Sequence, residues 1–290
     1  MTAPFPPSNP STSPLIGGHV LVAGGLATGG LKYAADIEAE VVQVFVTNPR
    51  GWALNDGKPS EDTALRESPL PVFVHTPYLV NVGSPNAEVL QKSLQSIRHA
   101  LRRGAEVGAL GVVVHTGSSV TQSREDALRQ IHDQLLPVLE EIPDDGPDLL
   151  LEPMAGQANM LCATVQDLGP YLETLEFHPR ANVCLDTCHA FAAGHDLAAP
   201  GGVTAMMDAL HAIAPGRLKL LHANDSKDPC GSGRDRHENI GKGLIGAAAF
   251  GELLGHPAAA EVPLCIETPG KVEGHRSDIR LLKGLRDGHA

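Results

Sequence analysis

Short apolar segments alternate with segments of helical periodicity along most of the chain. Each apolar segment is rich in Val, Leu and Ile and is bounded by polar or Gly-containing stretches, which is typical of a buried strand. The predicted strands are His19–Gly24, Val41–Val46, Val72–His75, Gly111–His115, Leu149–Glu152, Val183–Asp186, Leu218–His222 and Pro263–Glu267. The predicted helices are Leu26–Ala39, Glu61–Arg66, Asn86–Gly104, Arg124–Glu141, Val165–Leu175, Ala205–Ala214, Ala247–Leu254 and Ile279–Leu285.

This alternation predicts an α/β fold, a single (β/α)8 TIM barrel over residues 18–290. An open doubly wound sheet is the alternative, but it usually has fewer strands, and no glycine-rich phosphate-binding motif occurs to support a nucleotide-binding version. Residues 1–17 are expected to form a disordered Pro/Ser-rich leader. They lack the basic and apolar regions of a signal peptide.

Composition and charge narrow the class of protein. The five cysteines of the 290-residue chain are widely spaced without a C-x-x-C pair, which argues for free thiols in a reducing cytoplasm rather than a secreted protein. No apolar run approaches the length of a membrane span. The formal net charge of −12 argues against a generic nucleic-acid binder.

Potential metal ligands end every predicted strand from the third onward. They are His75, His115, Glu152, Asp186, His222 and Glu267. A single histidine at a strand end is more often a structural residue, but six successive ends occupied only by His, Asp and Glu are not explained in that way. Because strand ends of a barrel converge on one face, a metal site is predicted at the C-terminal face of the strands.

Three further candidates lie just beyond these strands. His189 follows Asp186 at i+3, and Asp235 and His237 form a D-x-H in a loop. Five imidazoles and four carboxylates suffice for about three divalent ions, with zinc favoured and manganese or iron possible. Such ions would change a local charge of about −4 to about +2, which attracts phosphate. The pattern therefore predicts a metal-dependent phosphodiesterase.

Four longer motifs carry a resemblance to one family. They are HTPYLVNVGSP (75–85), CLDTCHAFAAGHDL (184–197), HANDSK (222–227) and GSGRDRHENIGKGLIG (231–246). With these motifs the chain resembles endonuclease IV from about Gly18 to the C-terminus. The resemblance implies a monomeric DNA-repair enzyme with three zinc ions, which cleaves the phosphodiester 5′ to abasic sites and trims blocked 3′ ends. The products would be a 3′-hydroxyl and a 5′-deoxyribose phosphate.

The resemblance also implies the role of each ligand. One ion would be held by His75, His115 and Glu152. Glu152 would bridge to a second ion, held also by Asp186, His222 and Glu267. The third would be held by His189, Asp235 and His237. A bridging hydroxide is the implied nucleophile, and Glu152 would be the catalytic residue that orients it.

Loop residues are implied to contact double-stranded DNA. The family inserts side chains into the helix beside the extruded sugar, and the matching positions are Arg50, Tyr78 and Leu79. Candidates for phosphate contacts are Lys227, Arg234 and Arg236, together with Lys242. The chain departs from the family pattern at Thr116, at Pro153 and in the short connection 53–71.

Two other functions remain open on the sequence. A sugar isomerase or epimerase of the xylose-isomerase type also places His, Asp and Glu at barrel strand ends, but normally for one or two metals. It would be favoured by a catalytic lysine at a strand end, and none is predicted there. A non-catalytic damage-binding protein is disfavoured because all nine candidate ligands are present.

Overall fold

A closed barrel of parallel strands forms the centre of the molecule. The structure is a computed structural model and describes residues 13–157 and 159–288. Within that part, eight strands surround the axis and confirm the predicted (β/α)8 barrel. They are β1 (Ile16–His19), β2 (Val42–Phe45), β3 (Val72–His75), β4 (Ala109–His115), β5 (Asp148–Glu152), β6 (Ala181–Asp186), β7 (Leu218–His222) and β10 (Leu264–Ile266). Between the last two lies an antiparallel hairpin of β8 (Asp225–Ser226) and β9 (His237–Glu238).

Helices follow the strands and cover the outside of the barrel. They are α1 (Gly30–Asp36), α2 (Pro59–Arg66), α3 (Ala87–Val107), α4 (Arg124–Glu140), α5 (Leu168–Thr174), α6 (Thr187–Ala193), α7 (Gly202–Ile213), α8 (Ala247–Gly255) and α9 (Val272–Arg286). Asn86 shows how a boundary is set, because its side chain accepts hydrogen bonds from the first free backbone N–H groups of α3, those of Glu88 and Val89. None of the described helices has the length and apolar character needed to cross a bilayer.

The apolar core of the molecule has two parts, one outside the barrel strands and one inside them. The larger one lies between the strands and the helices. The smaller one fills the barrel interior and consists of Val41, Phe73, Val113, Leu150, Cys184, Leu220 and Cys265. Cys184 and Cys265 are buried there as free thiols, as predicted, and the other three cysteines are also free. Since side chains alternate along a strand, residues two positions further on point towards the same axis.

The first strand begins earlier than predicted. β1 spans Ile16–His19, so the predicted strand His19–Gly24 is wrong, and most of that stretch is a loop. The barrel therefore includes residues 16 and 17, which were assigned to the leader; residues 1–12 lie outside the described residues. The prediction failed because the strand contains glycine, which does not indicate a strand. A Cβ at Gly17 would lie 1.8 Å from the Val41 carbonyl oxygen, so no larger residue fits there. Close packing thus requires a residue with poor strand propensity.

A short helix follows β6 where none was predicted. Asp186 ends β6 and also caps α6, since its Oδ1 accepts a hydrogen bond from the His189 N–H at 3.0 Å. Every residue from Thr187 to Ala192 is buried, so α6 has no polar face and no helical periodicity that could reveal it. The cap brings Asp186 and His189 together.

Candidate metal centre

Each of the eight barrel strands contributes one polar side chain, at or near its C-terminal end, to a ring above the apolar interior. Seven lie two residues beyond an apolar interior residue, and the eighth, His19, lies two beyond Gly17. The ring consists of His19, Gln43, His75, His115, Glu152, Asp186, His222 and Glu267. Six of these are the strand-end ligands predicted from the sequence. The structure adds His19 and Gln43.

Glu152 lies at the centre of the ring and is completely buried. Its Oε2 is 3.2 Å from His75 Nε2 and 3.5 Å from His115 Nε2. Its Oε1 is 3.1 Å from His222 Nδ1 and 3.3 Å from His189 Nδ1. One carboxylate therefore faces two different sets of imidazoles, which is the geometry of a bridging ligand.

The hairpin and α6 bring the remaining predicted ligands to the same place. His189 Nε2 is 3.2 Å from Asp235 Oδ2, and His237 Nε2 is 3.0 Å from Asp235 Oδ1. Asp186 Oδ2 lies 3.5 Å from His237 Nε2 and 3.9 Å from His222 Nδ1. Asp186 thus lies between two groups of donors, whereas the resemblance placed it in the second group alone.

Ligand atoms within 4.8 Å of one another define the possible ion positions. Three groups use only nitrogen and oxygen donors: His75–His115–Glu152, Asp186–His222–Glu267 and Asp186–His189–His237. Two other groups include thiols, Glu152–Cys184–His222 and Cys188–Asp235–His237. All nine predicted ligands belong to at least one group. The structure therefore brings the whole predicted set together.

The histidine hydrogen bonds fit a metal. His75, His189 and His237 each direct Nδ1 at a backbone carbonyl, those of Thr76, Pro153 and Glu267. A carbonyl only accepts, so each Nδ1 carries the proton and Nε2 presents a lone pair to a carboxylate. The buried Nε2 of His237 has no hydrogen-bond partner among the described residues. Either a proton or a metal ion must lie between such a nitrogen and its carboxylate, and imidazole with carboxylate suits zinc.

Gln43 fixes the tautomer of His222, as the backbone carbonyls fix the tautomers of the other histidines. His222 Nε2 donates to Gln43 Oε1 at 2.9 Å, which leaves Nδ1 free to face Glu152. The Gln43 amide nitrogen donates to Glu267 Oε1 at 2.6 Å. His19 Nδ1 lies 3.3 Å from the same carboxylate oxygen. A single buried amide therefore orients two members of the second group, and its signal in the sequence was one polar residue within an apolar strand.

Asn224 connects two more ligands and was also missed from the sequence. Its side-chain nitrogen donates to Asp186 Oδ2 at 2.8 Å, and its side-chain oxygen accepts from the Glu267 backbone N–H at 2.8 Å. It lies two residues after His222, in the motif HANDSK. The available signal was the position of Asn224, two residues beyond the predicted ligand His222.

When no metal is bound, protonated histidines compensate the negative charges of the carboxylates. Burial disfavours a charged ring, but the carboxylates of Asp186 and Asp235 raise the pKa of His237 to about 9 and that of His189 well above its usual value. Burial is likewise outweighed at His222, where Cys184, Glu267 and Glu152 raise the pKa. These histidines thus hold protons where a metal-bound cluster would hold cations.

Neighbouring charges also outweigh burial at the carboxylates, whereas burial dominates at His115. Burial would raise the pKa of Glu152, but the neighbouring His222 and His115 hold it well below the usual value. The facing imidazoles of His189 and His237 similarly outweigh burial and lower the pKa of Asp235. Burial lowers the pKa of His115 to about 4, so this imidazole is neutral at pH 7 and ready to coordinate a cation.

A buried carboxylate supports the hairpin that carries Asp235 and His237. Asp225 in β8 is fully buried and accepts backbone hydrogen bonds from Ser226, Gly241, Gly243, Ile245 and Gly246. A Cβ at Gly243 would lie 2.4 Å from Asp225 Oδ1, which explains a glycine at that position. The interaction holds the loop after β9 against the hairpin and so fixes His237.

The cluster opens into a cavity of about 240 Å³ at the C-terminal face. Its lining consists of Tyr78, His115, His189, Asp235, His237 and Glu267. A larger cleft of about 870 Å³ lies at the other end of the barrel, between β7, α7 and the segment before β10. That cleft contains none of the nine ligands, so the chemistry belongs to the smaller cavity.

The predicted DNA-contact residues lie on the same face as this cavity. Arg50 is exposed on the loop after β2, and Tyr78 and Leu79 are 49% and 39% exposed on the loop after β3. The two loops are joined, because the Tyr78 N–H donates to the Pro49 carbonyl at 3.0 Å. The hairpin carries Lys227, Arg234 and Arg236. Two of them pair with Asp228, Arg236 at 2.6 Å and Arg234 at 3.5 Å.

Fold and site define a class of protein. Residues 31–285 match the sequence profile of the family described as the xylose isomerase-like TIM barrel. The crystal structure of a D-tagatose 3-epimerase-like protein shares this architecture with a TM-score of 0.71, over 95% of this chain and 98% of its own. At 20% identity that likeness shows the fold alone. The chain is therefore a xylose isomerase-like barrel.

Two proteins that are more similar to this chain define its family within that class. A Streptomyces avermitilis protein described as a probable endonuclease 4 is 55% identical over 280 residues, which are 94% of this chain and 90% of the relative. The crystal structure of endonuclease IV from Thermus thermophilus is 30% identical, with a TM-score of 0.83 over 95% of this chain and all of the other. The chain belongs to the endonuclease IV family of metal-dependent apurinic/apyrimidinic endonucleases, which are DNA-repair hydrolases. The resemblance found in the sequence is confirmed.

Proposed function

We propose that this protein hydrolyses the phosphodiester 5′ to abasic sites in duplex DNA with a trinuclear metal centre. The products would be a 3′-hydroxyl and a 5′-deoxyribose phosphate, and the same centre would trim blocked 3′ ends. The observation that carries the proposal is the convergence of five imidazoles and four carboxylates in overlapping donor groups. One or two ions would leave several of these buried donors without a cation.

The donor groups suggest which residues would hold each ion. His75, His115 and Glu152 would hold the first. Glu152, Asp186, His222 and Glu267 would hold the second, and His189, Asp235 and His237 the third, with Asp186 also within its reach. Zinc suits this nitrogen and oxygen set, and manganese or iron(II) is compatible with it.

The chain orients the reaction through Glu152. When bound, the ions would supply a hydroxide nucleophile at neutral pH and neutralise charge on the leaving oxygen. The two oxygens of Glu152 face different imidazole sets, at 3.2 Å from His75 and 3.1 Å from His222. Its carboxylate would therefore span the first two positions and orient the attacking oxygen. Gln43 and Asn224 keep the neighbouring carboxylates in fixed orientations.

The size of the cavity favours a nucleotide without a base. At about 240 Å³ it is smaller than most small-molecule pockets, which span roughly 300–1,000 Å³. A phosphate and a baseless sugar therefore fit better than a complete nucleotide. Tyr78 borders the cavity, and burial raises the pKa of its phenol, so the hydroxyl stays protonated as a donor for a phosphate or sugar oxygen.

The surrounding loops would hold the duplex. Arg50 and Tyr78 offer flat surfaces that stack on the bases exposed beside an extruded sugar, with Leu79 as an apolar wedge. Lys227, Arg234 and Arg236 on the hairpin would contact backbone phosphates. In Arg234 and Arg236 the pairing with Asp228 restrains the side chains while leaving them 67% and 57% exposed.

A sugar isomerase or epimerase is the alternative with the same fold. Its chemistry does not require a third ion at His189, Asp235 and His237, and none of the residues that line the cavity is a lysine. We therefore retain the nuclease. Action as a monomer and a cytoplasmic, nucleoid-associated location remain predictions.

The test is incision of a duplex oligonucleotide that carries one tetrahydrofuran abasic analogue. The protein should be assayed at measured metal content, after prolonged chelation and after reloading with zinc. We expect incision 5′ to the lesion that disappears with the metals and returns on reloading, while an undamaged duplex remains intact. A protein that holds close to three metals and leaves the lesion uncut would refute the proposal, and sugar substrates would then be assayed.

A further inference from the structure

Exposed apolar side chains concentrate around the mouth of the barrel. Of the large hydrophobic residues exposed in the described part of the chain, six lie on loops that follow the C-terminal ends of strands: Leu21, Leu54, Tyr78, Leu79, Val120 and Leu244. Leu110 and Phe177 lie at the other end. Tyr78 and Leu79 already have a proposed role against DNA, whereas Val120 has none.

Val120 adopts a conformation that its side chain disfavours. Its φ is +55°, in the left-handed region, and it is the one β-branched residue among the described non-glycine residues with positive φ. A β-branched side chain there is a backbone outlier that reduces stability. Glycine or asparagine would fit without this cost. The side chain is 46% exposed, so its packing against the core does not explain its presence.

Neighbouring loops hold Val120 in this conformation. Its N–H donates to Ser118 Oγ at 3.1 Å, and its carbonyl accepts from Asn159 Nδ2 at 2.8 Å. Asn159 is also left-handed, with φ +60°, and its carbonyl accepts from the Ser119 N–H at 2.9 Å. The strained residue is thus fixed from the loop after β4 and from the loop after β5.

The same loop is connected to the one that carries Tyr78 and Leu79. Asn81 Oδ1 accepts hydrogen bonds from the Ser118 N–H and the Gly83 N–H, both at 3.0 Å. A Cβ at Gly117 would lie 2.6 Å from that oxygen, so the two loops approach closely. Val120 therefore has a fixed position relative to the proposed apolar wedge.

We propose that Val120 is a further DNA contact, whose isopropyl group packs on the deoxyribose edges of the bound duplex, on the same rim as Tyr78 and Leu79. The proposal rests on the proposed function, because duplex DNA is the partner that covers this face. The edges of deoxyribose are apolar, and proteins that deform duplex DNA commonly place fixed apolar side chains against it. The strained valine would then be retained because it contributes to binding, since it does not contribute to folding.

Three substitutions separate binding from stability. Val120→Gly and Val120→Asn relieve the strain and remove the apolar group, whereas Val120→Leu keeps an apolar side chain. Phe177→Gly is a matched control at the opposite end, since Phe177 is also left-handed at φ +48° and 46% exposed. Dissociation constants would be measured on a tetrahydrofuran-containing duplex, with melting temperature, metal content and the single-turnover incision rate at saturating DNA.

We expect Val120→Gly and Val120→Asn to weaken binding about tenfold, from the loss of a half-buried valine contact. Their melting temperatures should not fall, and the saturated incision rate and metal content should remain at wild-type values. Val120→Leu should stay within about twofold, and Phe177→Gly should bind normally. Wild-type affinity in both the glycine and asparagine variants would overturn the inference. A wild-type protein that neither binds nor cuts the duplex would instead overturn the proposed function.

Discussion

Replacement of Gln43 by methionine tests whether the buried amide orients the metal ligands. Methionine has a similar length and fills the same space, but it can neither accept from His222 Nε2 at 2.9 Å nor donate to Glu267 Oε1 at 2.6 Å. Both ligands would then be free to rotate, and His222 could adopt the other tautomer. The substitution therefore affects the second donor group without removal of any ligand.

The magnitude follows from these two hydrogen bonds. Loss of an outer partner of a metal ligand typically costs about 10–100-fold in metal affinity. That range corresponds to about 1.4–2.8 kcal/mol. The larger value is expected here because Gln43 and His222 are completely buried, so water cannot replace the lost partner. The effect should be confined to one of the three proposed ions.

The assay is metal retention against a competing chelator, followed by elemental analysis. Wild-type protein and Gln43→Met would be compared with Gln130→Met, since the Gln130 amide donates to the carbonyls of Val82 and Ser84 and belongs to none of the donor groups. We expect Gln43→Met to lose about one ion per chain at a chelator concentration that leaves the control loaded. Indistinguishable retention curves would refute the assigned role of Gln43.

Three other perturbations test the site and its rim. Glu152→Gln should keep the fold but reduce turnover by about 10²–10⁴-fold, because a neutral amide bridges and orients poorly; a near wild-type kcat at full metal content would contradict this. Arg50→Ala should weaken binding of abasic duplex by about 1–3 kcal/mol, from lost stacking, with unchanged metal content; unchanged affinity would remove Arg50 from the DNA site. At pH 7 the metal-free protein should release roughly three protons as the cluster fills, because the raised pKa values of His189, His222 and His237 keep these rings protonated. Metal affinity should therefore fall as pH falls, and calorimetry in buffers of different ionisation enthalpy would detect the protons; release of fewer than one would contradict the assignment.

The ring of polar side chains could largely be predicted because it follows from strand periodicity. An apolar segment that ends on His, Asp or Glu gives both the strand and the direction of its last side chain. This reasoning found six members of the ring. It missed His19 because β1 contains Gly17 and Gly18, whose absent side chains are required by close packing rather than by strand propensity. It missed Gln43 because an amide does not suggest a metal ligand.

The conformation of the rim loops could not be predicted from periodicity because distant contacts determine it. The loop after β9 is held by Asp225, whose five backbone partners lie up to 21 residues away. Val120 is held in a left-handed conformation by Asn159, 39 residues further along the chain. Neither contact leaves a periodic pattern. Only the three-dimensional arrangement shows that these loops belong to one surface.

The acidic net charge and the DNA substrate are compatible once the distribution of charge is considered. The formal charge of −12 belongs to the metal-free chain, and four of its carboxylates lie in the cluster. Three divalent ions, once they have displaced the protons of the histidines, would bring the four carboxylates to a net charge of about +2 at the point where the phosphate must enter. Around it, the rim is rich in exposed apolar side chains such as Leu54, Tyr78 and Leu244. A duplex held in this way depends on metal ions and apolar contacts more than on a basic surface. Its affinity should therefore vary less with salt than that of a protein that neutralises many phosphates with lysine and arginine.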